Sequence, residues 1–169
     1  EGARVLVALA TSLEEYVNSL SFLEQAFAGV DGYDVRIRPH PEIPLESAFA
    51  LVPPAASQFF SESTGSLTDD LAWADVVLYA SSTVGLEAVS SGIPAVYLNL
   101  GHFLDTDPMS GWSDFRWSVK EPSELVKTVR CIRSLPKDRF EELQQKGREY
   151  VASYLSPATN GKMRAFWET

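Results

Sequence analysis

The sequence predicts an α/β protein of three layers, with a doubly wound, mostly parallel sheet and helices at its C-terminal end. Three observations predict it. Residues 4–10 (Arg-Val-Leu-Val-Ala-Leu-Ala) form a continuous apolar run that passes at once into helical periodicity. Residues 74–99 hold an apolar run, a hydroxyl-rich turn, a short amphipathic segment and a second apolar run. Strand-like and helix-like segments alternate through most of the chain, and parallel strands covered on both faces read as unbroken apolar runs joined by crossover helices.

Taken in order, the run at 4–10 is the first buried strand. Ser12 and Glu15 make a capping box that opens a helix, whose stripe is Leu13, Tyr16, Val17, Leu20, Leu23 and Phe27, with Gly29 as its stop. Residues 33–40 alternate, with Val35 and Ile37 opposite Arg36 and Arg38, as in a less buried strand that Pro39 must end. Residues 45–52 read as a short helix within a proline-broken loop, and residues 58–62 as a short strand. Ser66 and Asp69 repeat the capping-box pattern ahead of Leu71.

Residues 75–80 and 94–99 are the central buried strands, and residues 115–119 a last short one. Beyond them Pro122 suits a first helical turn, with Leu125, Val126, Val129 and Ile132 as the stripe. Residues 137–155 repeat the pattern through Phe140, Leu143, Val151 and Tyr154. Pro157 breaks it, and residues 158–167 read as a final helix.

A length of 169 residues fits one domain with a real core. Residues 1–169 are therefore read as a single domain, and the start without a methionine, almost directly in a strand, as the mark of a piece of a longer protein. Twenty-three acidic against 14 basic residues give a net charge of −9, which disfavours nucleic-acid binding but leaves room for a small anion at a helix start. One cysteine, Cys131, excludes an intrachain disulfide; it reads as a half-buried thiol, and the cytoplasm is the expected compartment. No apolar run approaches a membrane span, which leaves peripheral attachment of a longer protein open.

In such sheets ligands bind beyond the carboxyl ends of the strands. Two features fall there: Arg38-Pro39-His40-Pro41, and Ser81-Ser82-Thr83 with Gly85. Three hydroxyls and unpaired N–H groups at a helix start suit a phosphate, and Gly85 permits close approach. An ordinary N-cap with a packing glycine fits the same residues. The helical wheel turns Gly85, Val89, Gly92 and Ile93 to the sheet and Glu87, Ser90 and Ser91 away from it, so Glu87 faces solvent or a cleft, either as a solvated first-turn acid or as an acceptor for ribose hydroxyls. His40, clamped between prolines and following Arg36 and Arg38, is either a phosphate donor or a surface residue at a rigid turn. No metal site is expected: His40 and His102 are the only histidines, and Asp69-Asp70 and the Asp105/Asp107 pair read as capping and turn residues. The loop 101–111, with His102, Asp105 and Asp107, is a candidate lining of the cleft.

The Ala74-Asp75 opening, the segment Ser81-Ser82-Thr83-Val84-Gly85-Leu86-Glu87-Ala88 and the exit Gly92-Ile93-Pro94 resemble the nucleotide-sugar-binding C-terminal half of GT-B fold glycosyltransferases. Arg38-Pro39-His40-Pro41 is similar to the His-Pro motif that precedes a Ser-Ser or Ser-Thr motif in bacterial capsule polymerases and CDP-glycerol glycerophosphotransferases. The resemblance implies a Rossmann-like half of a GT-B enzyme and a nucleotide-activated sugar as donor, of UDP or CMP type, with no further cofactor. It also implies a separate acceptor-binding N-terminal domain as partner. His40 would contact donor phosphate, with Arg38 adding positive potential. Ser81, Ser82, Thr83 and Gly85 would form the phosphate seat, and Glu87 would bind ribose. The acceptor-activating base of such enzymes commonly lies in the other half, so no catalytic base is assigned.

These readings converge on the donor domain of a glycosyltransferase making surface polysaccharide or glycoconjugate, inactive by itself. A sugar-nucleotide 2-epimerase shares the plan but needs acid and base carboxylates across the cleft. A flavodoxin-like interaction module would lack the nucleotide-binding cluster altogether.

Overall fold

The computed structural model describes residues 2–52, 59–101 and 106–155. Six strands form one sheet, and every pairing in it is parallel: β1 (Ala3–Ala8), β2 (Tyr33–Arg38), β3 (Phe60–Glu62), β4 (Val76–Tyr79), β5 (Ala95–Leu98) and β6 (Arg116–Val119). Their spatial order is β3-β2-β1-β4-β5-β6, so the sheet grows outward in one direction as far as β3 and then restarts beside β1. The helices are α1 (Leu13–Phe27), α2 (Leu45–Phe49), α3 (Leu67–Trp73), α4 (Val84–Ser90), α5 (Pro122–Arg133) and α6 (Lys137–Tyr154). This is the doubly wound architecture expected from the alternation of elements.

The two faces of the sheet carry separate cores. On one, Val5, Val7, Val76, Leu78, Val96 and Leu98 meet Tyr16, Leu20 and Leu23 of α1, Leu45 and Ala48 of α2, and Leu125, Val129 and Ile132 of α5. On the other, Leu6 and Val77 meet Leu71 and Ala88, while Tyr79, Ala95 and Tyr97 meet Leu86 and Val89 of α4 and Leu143 and Val151 of α6. Burial on both sides is why β1, β4 and β5 are apolar at nearly every position. Strand β2 lies one place from the edge and keeps the alternation seen in its sequence, with only Val35 and Ile37 fully buried.

Local signals account for the ends. Ser12 caps α1 by accepting the Glu15 N–H at 3.3 Å, and Ser66 and Asp69 form a reciprocal capping box at α3. Helix α5 starts with Pro122 in its first turn. Two expectations change. The helix expected over 45–52 ends at Phe49, four residues before Pro53, and the strand expected from 58 begins at Phe60. Cys131 is exposed, because the buried stripe of α5 is Leu125, Val129 and Ile132 and position 131 points off it. The helix expected over 158–167 lies outside the described residues.

Glycines let α4 come close to α6 on one side and to β4 on the other. A Cβ on Gly147 would lie 2.8 Å from Val89 Cγ1, and one on Gly85 would lie 2.9 Å from three ring atoms of Tyr79. The Tyr79 ring is fully buried and its hydroxyl is hydrogen-bonded to Asp107 at 2.8 Å, so it has nowhere to go. Gly85→Ala is accordingly expected to destabilise the fold by about 1–3 kcal/mol through overpacking, read as a lower urea midpoint at unchanged m-value.

Candidate functional site

The order of the strands reverses between β1 and β4, and the loops leaving those two strands diverge to opposite faces of the sheet. Register locates what lies beside that opening. Ala8 is level with Arg38 on one side and with Tyr79 on the other. The Leu9 N–H still donates to the Arg38 carbonyl at 3.1 Å, and His40 and Ser81 each follow the last paired residue of their strands by two positions, on either side of β1.

His40 is fixed from behind. Its backbone N–H donates to the Tyr16 hydroxyl at 2.5 Å, and that hydroxyl donates to the Ile43 carbonyl at 3.3 Å. Tyr16 is fully buried, and burial raises its pKa above the ordinary phenol value, so it stays a hydrogen-bonding phenol. The imidazole Nδ1 accepts the Glu42 N–H at 3.3 Å, which places the proton of a neutral ring on Nε2 as a donor. The proline-clamped turn therefore holds a half-buried histidine with one nitrogen committed to its own loop.

Across β1, the three hydroxyls of the β4–α4 turn have three different environments. Ser81 Oγ donates to Glu15 Oε2 at 2.5 Å. Ser82 is buried, and its Oγ accepts the Val84 N–H at 3.3 Å, so Ser82 rather than Thr83 supplies the side-chain cap of α4. Thr83 is exposed, adopts helical dihedrals and makes no capping bond. Gly85 lies beneath this turn against Tyr79, as its missing Cβ requires. Glu87, Ser90 and Ser91 face away from the sheet as the helical wheel indicates, lining a groove of about 630 Å³ between α3 and α4 with Leu67, Leu71 and Ile93.

Arg38 has a definite position and a strong partner. Its Nη1 donates to Asp70 Oδ2 at 2.7 Å and to the Gly65 carbonyl at 3.0 Å, while Arg36 reaches Asp70 Oδ1 at 3.3 Å and stacks over the Trp73 ring at 3.8 Å. Asp70 is 1% exposed. Burial by itself raises its pKa, but bonds from the Ser63 hydroxyl, Arg38 and Arg36 outweigh that and hold the carboxyl below its usual range. Arg38 thus ties β2 to α3, and Asp70, read from sequence as a capping residue, is the anchor of a buried cluster.

A second buried pair closes the far side. Asp107 accepts from the Tyr79 hydroxyl at 2.8 Å, from the Met109 N–H at 3.0 Å and from Arg116, whose guanidinium also lies 5.1 Å from the Tyr97 ring. Burial first, and then the charge of Asp107, push the Tyr79 phenol far above its ordinary pKa. Asp107 was read as a turn residue; its burial shows a structural ion pair beneath the loop after β5. His102 and Asp105 lie outside the described residues. Among the described residues no three His, Cys, Asp or Glu side chains cluster as metal ligands would.

No family model matches the chain, and no curated protein sequence does. Solved structures do share its fold. A glycosyltransferase from Rickettsia africae superposes with a TM-score of 0.66 over 98% of this chain and 46% of its own, at 11% identity. The wall teichoic acid polymerase TagF does so with 0.54 over 99% and 41%, at 13% identity. A putative UDP-N-acetylglucosamine 2-epimerase from Listeria monocytogenes gives 0.58 over 90% and 43%, at 14% identity. The chain spans less than half the length of each. Its fold is the Rossmann-like half-fold found in GT-B glycosyltransferases.

The Asp70 cluster makes a pH prediction. A carboxyl whose folded pKa is depressed contributes stability that is complete above its unfolded pKa and is lost as pH falls through the folded one. Asp70→Asn is expected to cost about 1–3 kcal/mol at neutral pH. The difference in urea midpoint between wild type and variant should shrink on acidification below about pH 4, where the unfolded carboxyl begins to take up its proton.

Proposed function

We propose that this chain is the donor-binding half of a glycosyltransferase that makes a surface polysaccharide or a similar glycoconjugate. One observation carries the reading beyond the fold: a histidine Nε2–H and a hydroxyl-bearing strand-to-helix turn flank β1 at the carboxyl edge where the strand order reverses, the place where open α/β sheets hold their ligands. The resemblance of Arg38-Pro39-His40-Pro41 and of the 81–88 segment to glycosyltransferase motifs supports it, as do the solved structures that share the fold.

In this reading His40 Nε2 and the Thr83 hydroxyl, with the backbone N–H groups of the Ser82-Thr83 turn, hold the phosphate of a nucleotide-activated sugar, the diphosphate of a UDP type or the single phosphate of a CMP type. Ser82 and Gly85 shape the turn, the former as cap and the latter by letting it settle on Tyr79. Glu87 accepts ribose hydroxyls at the α4 side. Arg38 contributes through the rigidity of the β2 end and its long-range positive potential, its guanidinium being paired with Asp70. The chemistry asked of this half is to anchor the leaving nucleotide and to stabilise the charge that develops on it as the sugar departs. The acceptor and the group that deprotonates it belong to a partner domain. In this reading the full protein works in the cytoplasm, the compartment expected for the chain's lone thiol. No helix among the described residues is long and apolar enough to cross a membrane.

A 2-epimerase reading is supported by the fold it shares with the Listeria structure and predicts a different product from a nucleotide sugar. Incubating UDP-N-acetylglucosamine with the full-length protein and finding inversion at C2 without transfer would establish it in place of the first. For the donor-domain reading, titration of UDP, CMP, CDP and GDP into the chain is expected to shift the backbone amides of residues 81–87 with at least one of them. His40→Ala is expected to weaken that binding about tenfold, or about 1.4 kcal/mol, while the melting temperature stays within a few degrees. Unperturbed amides with all four nucleotides would exclude it.

A further inference from the structure

Glu15 carries a buried carboxylate that neither the capping of α1 nor phosphate binding requires. It occupies the first turn of α1, is 4% exposed, and takes the Ser81 hydroxyl on Oε2 at 2.5 Å. Its other oxygen, Oε1, is buried with no hydrogen-bond partner. A buried acceptor left unpaired carries a desolvation cost of about 1–3 kcal/mol. Helix α1 does not need the carboxylate: the Glu15 N–H is already capped by Ser12, and Glu14 places an acid in the same first turn. The group sits at the strand-order reversal, where it has one described partner, and that partner is a residue of the candidate site.

The bond sets the polarity of Ser81. A serine hydroxyl has one proton and two lone pairs. With the proton given to Glu15, Ser81 Oγ presents lone pairs only, backed by a carboxylate. That arrangement is mismatched to a phosphate oxygen, which also accepts, and matched to a hydroxyl that donates.

We infer that Ser81 accepts a hydrogen bond from a hydroxyl of the transferable sugar or polyol, and that Glu15 is the positioning residue that turns Ser81 into an acceptor. The inference rests on the nucleotide-sugar reading above and divides its seat in two. Phosphate lies on the Ser82-Thr83 side of the turn with His40, and the group to be transferred lies at Ser81, beside β1. Ligands that carry the sugar then gain a contact that the bare nucleotide lacks.

The test is a double-mutant cycle on the chain as it stands, with Glu15→Gln, Ser81→Ala and both together. Affinities are measured for UDP and CDP and for UDP-N-acetylglucosamine and CDP-glycerol. Glutamine keeps the shape but offers an N–H to Ser81, releasing the serine proton outward. Each single change is expected to weaken the sugar- or glycerol-bearing ligand about tenfold, the scale of one hydrogen bond to a charged-group network, and to leave the parent diphosphate within about twofold. The double variant should be no worse than either single one, since Glu15 acts through Ser81. Equal losses on both ligand types, no change on either, additive losses, or tighter binding of the diphosphate by Glu15→Gln would each overturn this inference and leave the donor-domain reading standing. Failure of the wild-type chain to bind any of the four ligands, and CMP and GDP as well, would overturn both.

Discussion

Coverage of the sheet on both faces is the constraint from which the rest follows. From Val5 onward in β1, and throughout β4 and β5, there is no solvent side, so these positions can carry only apolar groups or polar groups whose partners are also buried. Tyr79 shows what an exception demands: a hydroxyl in the middle of the sheet is matched by a buried aspartate, and that aspartate by an arginine. Everything that must meet a water-soluble ligand is displaced to the ends of the strands. The chemistry of this protein is edge chemistry because its middle is sealed.

The edge is then organised by long-range polar ties rather than by the loops themselves. Asp70 joins the ends of β2 and α3 through two arginines and a serine. Tyr16 holds the loop after β2 through the His40 N–H and the Ile43 carbonyl. Glu15 holds the turn after β4 through Ser81. Each tie spans elements distant in sequence and adjacent only once the strand order is set.

That difference divides what was legible in the sequence from what was not. Strands 4–10, 75–80 and 94–99 and the helix stripe at Leu20, Leu23 and Phe27 were legible because periodicity and burial are local patterns. So were the His40 turn and the 81–87 turn, since prolines, hydroxyls and a glycine at a strand end mark themselves. Glu15 was read as the closing residue of a capping box, but only half of that box forms: its N–H donates to the Ser12 hydroxyl, while its side chain belongs to Ser81, 66 residues away. Asp70 and Asp107 were assigned to capping and turns because their arginine partners lie across strands whose neighbours no local pattern reveals. Arg38 was read as adding positive potential beside His40, its pairing with Asp70 being hidden for the same reason. The exposed Cys131 was misjudged by one position on a helical wheel, a local error.

The ties at Glu15 and Tyr16 are made by consecutive residues of one helical turn, reaching the two strand ends that flank β1. The start of α1 is therefore a cross-brace between the histidine and the serine turn, and its phase along the helix matters more than its stability. Adding or removing a single residue inside α1, between Tyr16 and Leu20, would turn Glu15 and Tyr16 by about 100° relative to Leu20 and Leu23. Both ties would break together, while the apolar stripe further along α1 could still find the sheet. Among descendants of this sequence, the spacing from Glu15 to Leu20 should be invariant where loop lengths elsewhere vary.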